Sequence, residues 1–215
     1  MSHVNLSHAP TGYKAGNVNV TEGFACPIWH VKIIIENLLH AVYNLHNKMT
    51  EDAVADTLEL QIGTLLRARG LKLSLAESCT GGLLGDRITN LPGSSDYFWG
   101  SLVTYEYEAK VAILHVSWDT LKKYGAVSRQ TVLEMAHGAR NALETDIAVS
   151  VSGIAGPGGS TDEKPVGTTW IGLVADDGEW ARQFLFHGDR LQNKAAAADM
   201  ALEMLLEYLE GGIKR

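Results

Sequence analysis

A chain of 215 residues has room for one domain with a sizeable core and a short appendage, but not for two full domains. Hydrophobic residues make up 46% and charged residues 20%, an ordinary globular balance, and 18 Lys and Arg against 25 Asp and Glu leave a net charge of −7. That sign argues against a nucleic-acid binder, which needs a basic face to displace counter-ions, so a positive field for a small anionic substrate has to be local.

Residues 1–25 are a polar mix of Ser, Asn, Gly, Thr and His without periodicity, and read as an arm. Val31, Ile34, Ile35, Leu38, Val42 and Leu45 recur at helical spacing, which predicts an amphipathic helix between Pro27 and Lys48 that packs on its own domain or on a second subunit. Thr50 before Glu51 and Asp52 suits a helix start, the stripe Val54, Leu58, Ile62 and Leu65 continues it, and Gly70 offers a left-handed stop. Residues 1–49 are therefore expected to be an extension, and residues 50–215 the domain proper. Leu71–Ala76 reads as a buried strand, followed by a helix through Thr89.

After the break at Leu91-Pro92-Gly93, a strand is expected over Phe98–Tyr105 and a short helix over Tyr107–Leu114. Ser128 is placed to cap a helix running towards Leu143, and the Ile, Ala and Val of Asp146–Ile154 suit a strand buried on both faces. Strand Thr168–Ala175, the turn Asp176-Asp177-Gly178 and Glu179–Phe186 form a hairpin, and a helix from Asp189 to Leu209 closes the chain. This alternation predicts a three-layer α/β/α sandwich with a mixed, mostly parallel sheet, whose ligands sit beyond the carboxyl ends of strands.

Two loops fall at that place. In Ala76–Gly82 (AESCTGG) a strand ends, Ser78 occupies the turn and small residues open a helix. Backbone N–H groups of Cys79, Thr80, Gly81 and Gly82 are expected to stabilise an oxyanion beside Ser78, although a lone serine before a helix usually only caps it. Gly153–Gly167 follows a buried strand with five glycines and two prolines; its N–H groups suit phosphate or ribose oxygens, and a long surface turn fits the composition equally well. It has neither Walker nor dinucleotide-binding spacing.

A nucleophilic serine needs a base. There is no Gly-x-Ser-x-Gly elbow, and His115, His137 and His187 stand in no patterned setting. A lysine serves if burial or a neighbouring cation lowers its pKa from about 10.4 to about 7, which costs the charged form nearly ~5 kcal/mol. Lys110 is a candidate with Tyr105 orienting a proton, but spacing does not separate it from Lys122 or Lys164. Cys79 is a rival nucleophile, or else a small half-buried residue. Arg190 follows Asp189, the expected cap of the last helix, and is placed to meet a phosphate or carboxylate.

The motifs AESCTGG, LPGSS, VTYEYEAK, YGAVS, VSGIAGPGG with EKPVGTTWIGL, and FHGDR occur in one order over roughly residues 50–210. In that order they resemble the CinA C-terminal domain family, whose stand-alone members include nicotinamide mononucleotide amidohydrolases. The resemblance implies hydrolysis of the carboxamide of nicotinamide mononucleotide to nicotinic acid mononucleotide and ammonia, with neither metal nor cofactor. It implies Ser78 as nucleophile with Lys110, Tyr105 and Arg190 as partners, and a substrate-binding loop at Gly153, Ile154, Ala155, Gly156, Gly158 and Gly159. Family members commonly carry Ser-Asn where this chain has Glu106-Tyr107. The alternatives are a CinA-like module that binds a nucleotide or a partner without chemistry, and an amidase acting on a related amide.

Cys26 and Cys79 are too few for a disulfide framework or a structural zinc site, no apolar run reaches membrane-span length, and residues 1–25 lack a signal-peptide core. A cytoplasmic location, no membrane or direct nucleic-acid partner, and a homodimer or higher homo-oligomer are the corresponding expectations.

Overall fold

The computed structural model describes residues 57–213 together with Ile35, Leu38, Leu39, His40 and Val42. The expected arm, most of the helix expected between Pro27 and Lys48, and the helix start at Thr50 lie outside these residues. The chain divides into two compact units, Met1–Thr50 and Glu51–Arg215. In the first, Ile35, Leu38, Leu39, His40 and Val42 are helical and exposed.

In the second unit, helix α1 spans Leu58–Arg69. Its described cap is Thr57, whose hydroxyl accepts from Leu60 N, and Gly70 ends it at φ 64, where a side chain would be strained. Strand β1 (Leu73–Glu77) follows, then α2 (Leu83–Thr89), a 3-10 turn (Ser94–Asp96) and β2 (Phe98–Val103). Next come α3 (Tyr107–Leu114), α4 (Trp118–Tyr124) and α5 (Arg129–Leu143), the last capped by Ser128. Strands β3 (Ile147–Gly153), β4 (Thr168–Ala175) and β5 (Gly178–Leu185) precede α6 (Arg190–Leu209), which Asp189 and Gln192 start with a capping box.

The sheet order is β2-β1-β3-β4-β5. β1 runs parallel to both β2 and β3, while β3–β4 and β4–β5 are antiparallel. The sheet is thus mixed and mostly parallel, as expected: β1, β2, β3 and β5 run one way and β4 runs against them. The connection from β3 to β4 contains no helix, so the chain turns back on itself instead of crossing over.

Alternation along the central strands sorts the core into two layers. Leu73, Leu75, Val149, Val151, Ile171 and Leu173 pack with Ile62 and Leu66 of α1 and Leu202 and Leu205 of α6. Ala76, Ala148 and Val174 face Leu114 of α3 and Leu133, Met135 and Ala139 of α5. The small residues on this second face admit a close helix: a Cβ on Gly138 of α5 would fall 2.1 Å from the Leu114 carbonyl oxygen. On the first face Arg87 of α2 ties Glu59 of α1 and Asp199 of α6 together at 2.6 Å each. The short helix α4 was not expected from the sequence; Ser117 caps it by accepting from Asp119 N.

Candidate active site

Beyond Glu77 the chain leaves β1 in a turn, and Gly81 (φ 64) and Gly82 (φ 97) take left-handed conformations open to glycine. The fully buried Glu77 carboxylate fills this turn. It accepts from the N–H groups of Gly82 (2.9 Å), Leu84 (3.1 Å) and Gly85 (2.9 Å), and from Ser101 Oγ (2.7 Å). Pairing continues one residue past the strand, with Ser78 N donating to Val151 O and Thr104 N to Glu77 O. Since Glu77 is in register with Val103 and Val151, the next residues Thr104, Ser78 and Ser152 stand level on three adjacent strands. With a side-chain period of two, all three belong to the α3–α5 face.

Lys110 of α3 reaches Ser78 from that face. Its Nζ lies 3.1 Å from Ser78 Oγ, 2.8 Å from the Thr104 carbonyl oxygen and 3.0 Å from the Tyr105 carbonyl oxygen. Its side chain is wholly buried, and burial pulls the amine down to about 8, against the opposing pull of Glu106 and Cys79. In the neutral form two N–H groups serve the two carbonyls, which accept only, and the lone pair is left for the Ser78 hydroxyl. The amine is thereby oriented as a base towards one oxygen. At pH 7 a pKa of about 8 leaves ~10% of it neutral.

The expected set of oxyanion donors is halved. Gly81 N donates to the Ser78 carbonyl oxygen at 3.2 Å and Gly82 N to Glu77, so neither is available. Helix α2 begins only at Leu83, and the carboxylate of Glu77 already occupies its first turn. The N–H groups of Cys79 and Thr80 donate to no other residue among those described, that of Cys79 facing its own sulfur, and these two are the ones left for an incoming oxygen. Cys79 itself is buried and free; burial pushes its thiol up to about 11, opposite to the effect expected at a helix start.

Arg190, at the start of α6, donates to the Gly156 carbonyl oxygen at 2.7 Å and to the Tyr105 hydroxyl at 2.9 Å. It joins the glycine-rich loop to the segment after β2 and contributes nothing to the lowered pKa of Lys110, which burial causes. Tyr105 meets Lys110 through its backbone carbonyl, not its hydroxyl. Asn193 secures the loop again by donating to Ala155 O at 3.1 Å. Ile154 N donates to Thr168 O, Ile154 O accepts from Gly167 N, and Gly153 pairs with Thr169. Gly156 has φ 91, and a Cβ there would strike Val166 Cγ1 at 2.6 Å; Gly158 stands in open space, and Gly159 has φ 88.

The structure therefore brings Ser78, Lys110, Tyr105, Arg190 and Gly156 into one connected cluster. It also introduces residues that spacing did not single out. Glu77 is invisible as a turn-former because its role depends on a side chain folding forward over five to eight residues. Thr104 acts through a carbonyl, which carries no side-chain signature. Thr80, Thr104 and Ser152 have buried hydroxyls without a hydrogen-bond partner among the described residues, an uncommon concentration around one serine. Lys194, one turn beyond Arg190, approaches the turn from α6: a Cβ at Gly81 would lie 3.7 Å from its Nζ. Among the described residues, no group of three or more His, Cys, Asp or Glu is placed to hold a metal, and no helix is long and apolar enough to cross a membrane.

An α/β/α sandwich carrying a buried lysine on a serine at the carboxyl ends of parallel strands defines a serine–lysine class of site. Residues 55–209 match the CinA C-terminal domain, and the chain belongs to that family. It is 47% identical over 156 residues to a CinA-like protein of Chloroherpeton thalassium, and 42% identical over 180 residues to one of Thermotoga neapolitana. These matches cover 71% and 84% of this chain but only 37% and 42% of the relatives, so the chain spans well under half the length of either. Among solved structures, the competence/damage inducible protein CihA of Agrobacterium tumefaciens superposes with a TM-score of 0.69 at 42% identity, covering 71% of this chain and 93% of that one. The competence damage-inducible protein A of Klebsiella pneumoniae gives 0.69 at 36% identity, covering 71% and 95%.

Proposed function

We propose that this protein is a nicotinamide-nucleotide amidase, hydrolysing the carboxamide of nicotinamide mononucleotide to nicotinic acid mononucleotide and ammonia. The observation that carries the reading is the 3.1 Å contact between a buried, pKa-lowered Lys110 and Ser78. Neutral Lys110 takes the Ser78 proton as Oγ attacks the amide carbonyl carbon. The resulting oxyanion is held by the N–H groups of Cys79 and Thr80. The tetrahedral species collapses, the C–N bond breaks, and Lys110 returns its proton to the leaving nitrogen, releasing ammonia. Water then gives a proton to Lys110 and attacks the acyl-serine; collapse returns that proton to Ser78 and frees the acid. Arg190 keeps the loop and Tyr105 in place beside the reacting carbonyl.

The test is incubation of the full chain with nicotinamide mononucleotide, scoring ammonia and the acid product together. Both should form in equal amounts, and neither should form with Ser78→Ala. Binding measured by calorimetry without either product would instead make the fold a nucleotide-binding module, and turnover only of another pyridine amide would move the substrate.

A further inference from the structure

A cavity of about 200 Å3 has walls that include Tyr107, Ala126, Ile154, Gly159, Thr161 and Lys164, with neither Ser78 nor Lys110 in its lining. Two connections tie it to the chemistry. Tyr107 stands three residues before Lys110 on α3, so both project from one side of that helix. Ile154 is two residues beyond Ser152, which is level with Ser78 on the adjoining strand. These two connections put the cavity on the same face of the sheet as the pair, towards β3. Tyr107 is fixed there, its hydroxyl accepting from Ala126 N at 3.2 Å.

Lys164 is the charged group in this wall. Its Nζ donates to the Tyr124 carbonyl oxygen at 2.7 Å, and among the described residues no carboxylate forms an ion pair with it, although Asp162 and Glu163 precede it in sequence. An ammonium whose recorded partner is a neutral carbonyl retains its attraction for an anion. The volume is below the ~300 Å3 at which pockets begin to enclose a whole small ligand, so the cavity suits a part of one. If the reacting amide sits at Ser78, the part left for a cationic cavity on the same face is the far, anionic end.

We infer that this cavity is the subsite for the phosphomonoester of a nucleotide amide, with Lys164 as its counter-charge and Tyr107 as its wall. The inference rests on the amidase reading for the position of the amide and adds the group by which the substrate is chosen. A larger cavity of about 440 Å3 shares Val127 and Lys164 but is walled by Trp170 of β4 and Gln183 of β5, strands further from β1 in the sheet.

The experiment compares nicotinamide mononucleotide with nicotinamide riboside, which lacks the phosphate. Lys164→Gln should raise KM for the mononucleotide roughly tenfold or more, leave kcat within about threefold, and leave KM for the riboside unchanged. Lys164→Arg should recover most of the loss. Lys164 is partly exposed and bonds only a backbone carbonyl, so the glutamine variant is compatible with the fold. An unchanged KM for the mononucleotide, equal weakening of both compounds, or a phosphate-selective loss in Lys194→Gln instead would overturn the assignment. Calorimetry on the Ser78→Ala chain and its Lys164→Gln derivative separates this inference from the reading beneath it. If the wild-type chain binds the mononucleotide but releases no ammonia, the amidase reading falls, and the two dissociation constants still decide the role of Lys164. No binding of the mononucleotide overturns both.

Discussion

Glu77 and Ser78 are neighbours in the chain, yet they turn to opposite faces of the sheet and lead opposite polar lives. The Glu77 carboxylate accepts four hydrogen bonds and closes the turn that starts α2. On the other face, Ser78 meets a lysine, while the buried hydroxyls of Thr80, Thr104 and Ser152 around it have no hydrogen-bond partner among the described residues. A saturated buried group stabilises a shape; an unsaturated cluster is a cost that persists where binding or chemistry uses it. Lys110 gives that cost a sign. Its folded-state pKa lies near 8 instead of 10.5, so below pH 8 the buried cation opposes folding by ~3 kcal/mol. The penalty is relieved as pH rises from about 8 towards 10.5.

The contrast can be broken from either side. The largest effect is expected on the unsaturated face: Ser78→Ala and Lys110→Met should each lower ammonia release by roughly a thousandfold or more, Ser78→Ala without moving the urea midpoint. If Lys110→Met kept substantial turnover, the base would have to be sought elsewhere. Glu77→Ala should do the reverse, leaving three N–H groups and Ser101 unpaired and costing about 3 kcal/mol or more in denaturant unfolding. A Glu77→Ala chain of wild-type stability would contradict the structural role assigned to that carboxylate. Arg190→Lys removes the two-pronged tie between Gly156 and Tyr105 and should reduce kcat/KM by roughly tenfold, with little change in stability. The smallest effect belongs to Cys79. With its pKa near 11, only about one thiol in ten thousand is ionised at pH 7, so alkylation at neutral pH should leave activity intact.

Much of this arrangement was legible before any coordinates, for reasons that differ by element. Strand β3 announces itself by a run made mostly of Ile, Ala and Val, β4 by the apolar stretch from Trp170 to Ala175, and α5 and α6 by caps at Ser128 and Asp189 ahead of long apolar stripes. The seven-residue α4 has too few turns to show a period, and the only local sign of it is the cap at Ser117. The direction in which β4 pairs with β3 was hidden because a glycine-rich loop does not state which way it returns. At the site, spacing could not choose among Lys110, Lys122 and Lys164. That choice is made by tertiary structure: α3 folds back so that Lys110 is buried on Ser78, while Lys164 lines a separate cavity. The loss of Gly81 and Gly82 as oxyanion donors likewise depends on where the Ser78 carbonyl and the Glu77 side chain go, which no local pattern encodes.

The central claim, a desolvated amine acting in its neutral form on Ser78, is met most directly by kcat/KM for nicotinamide mononucleotide between pH 6 and pH 10, which reports ionisations of the free protein. On the proposed mechanism the uncharged amine is the active form, so kcat/KM should climb about tenfold per pH unit at the acid end and level off above about 8. A profile flat across that interval, or one that falls as pH rises through about 8, would contradict it.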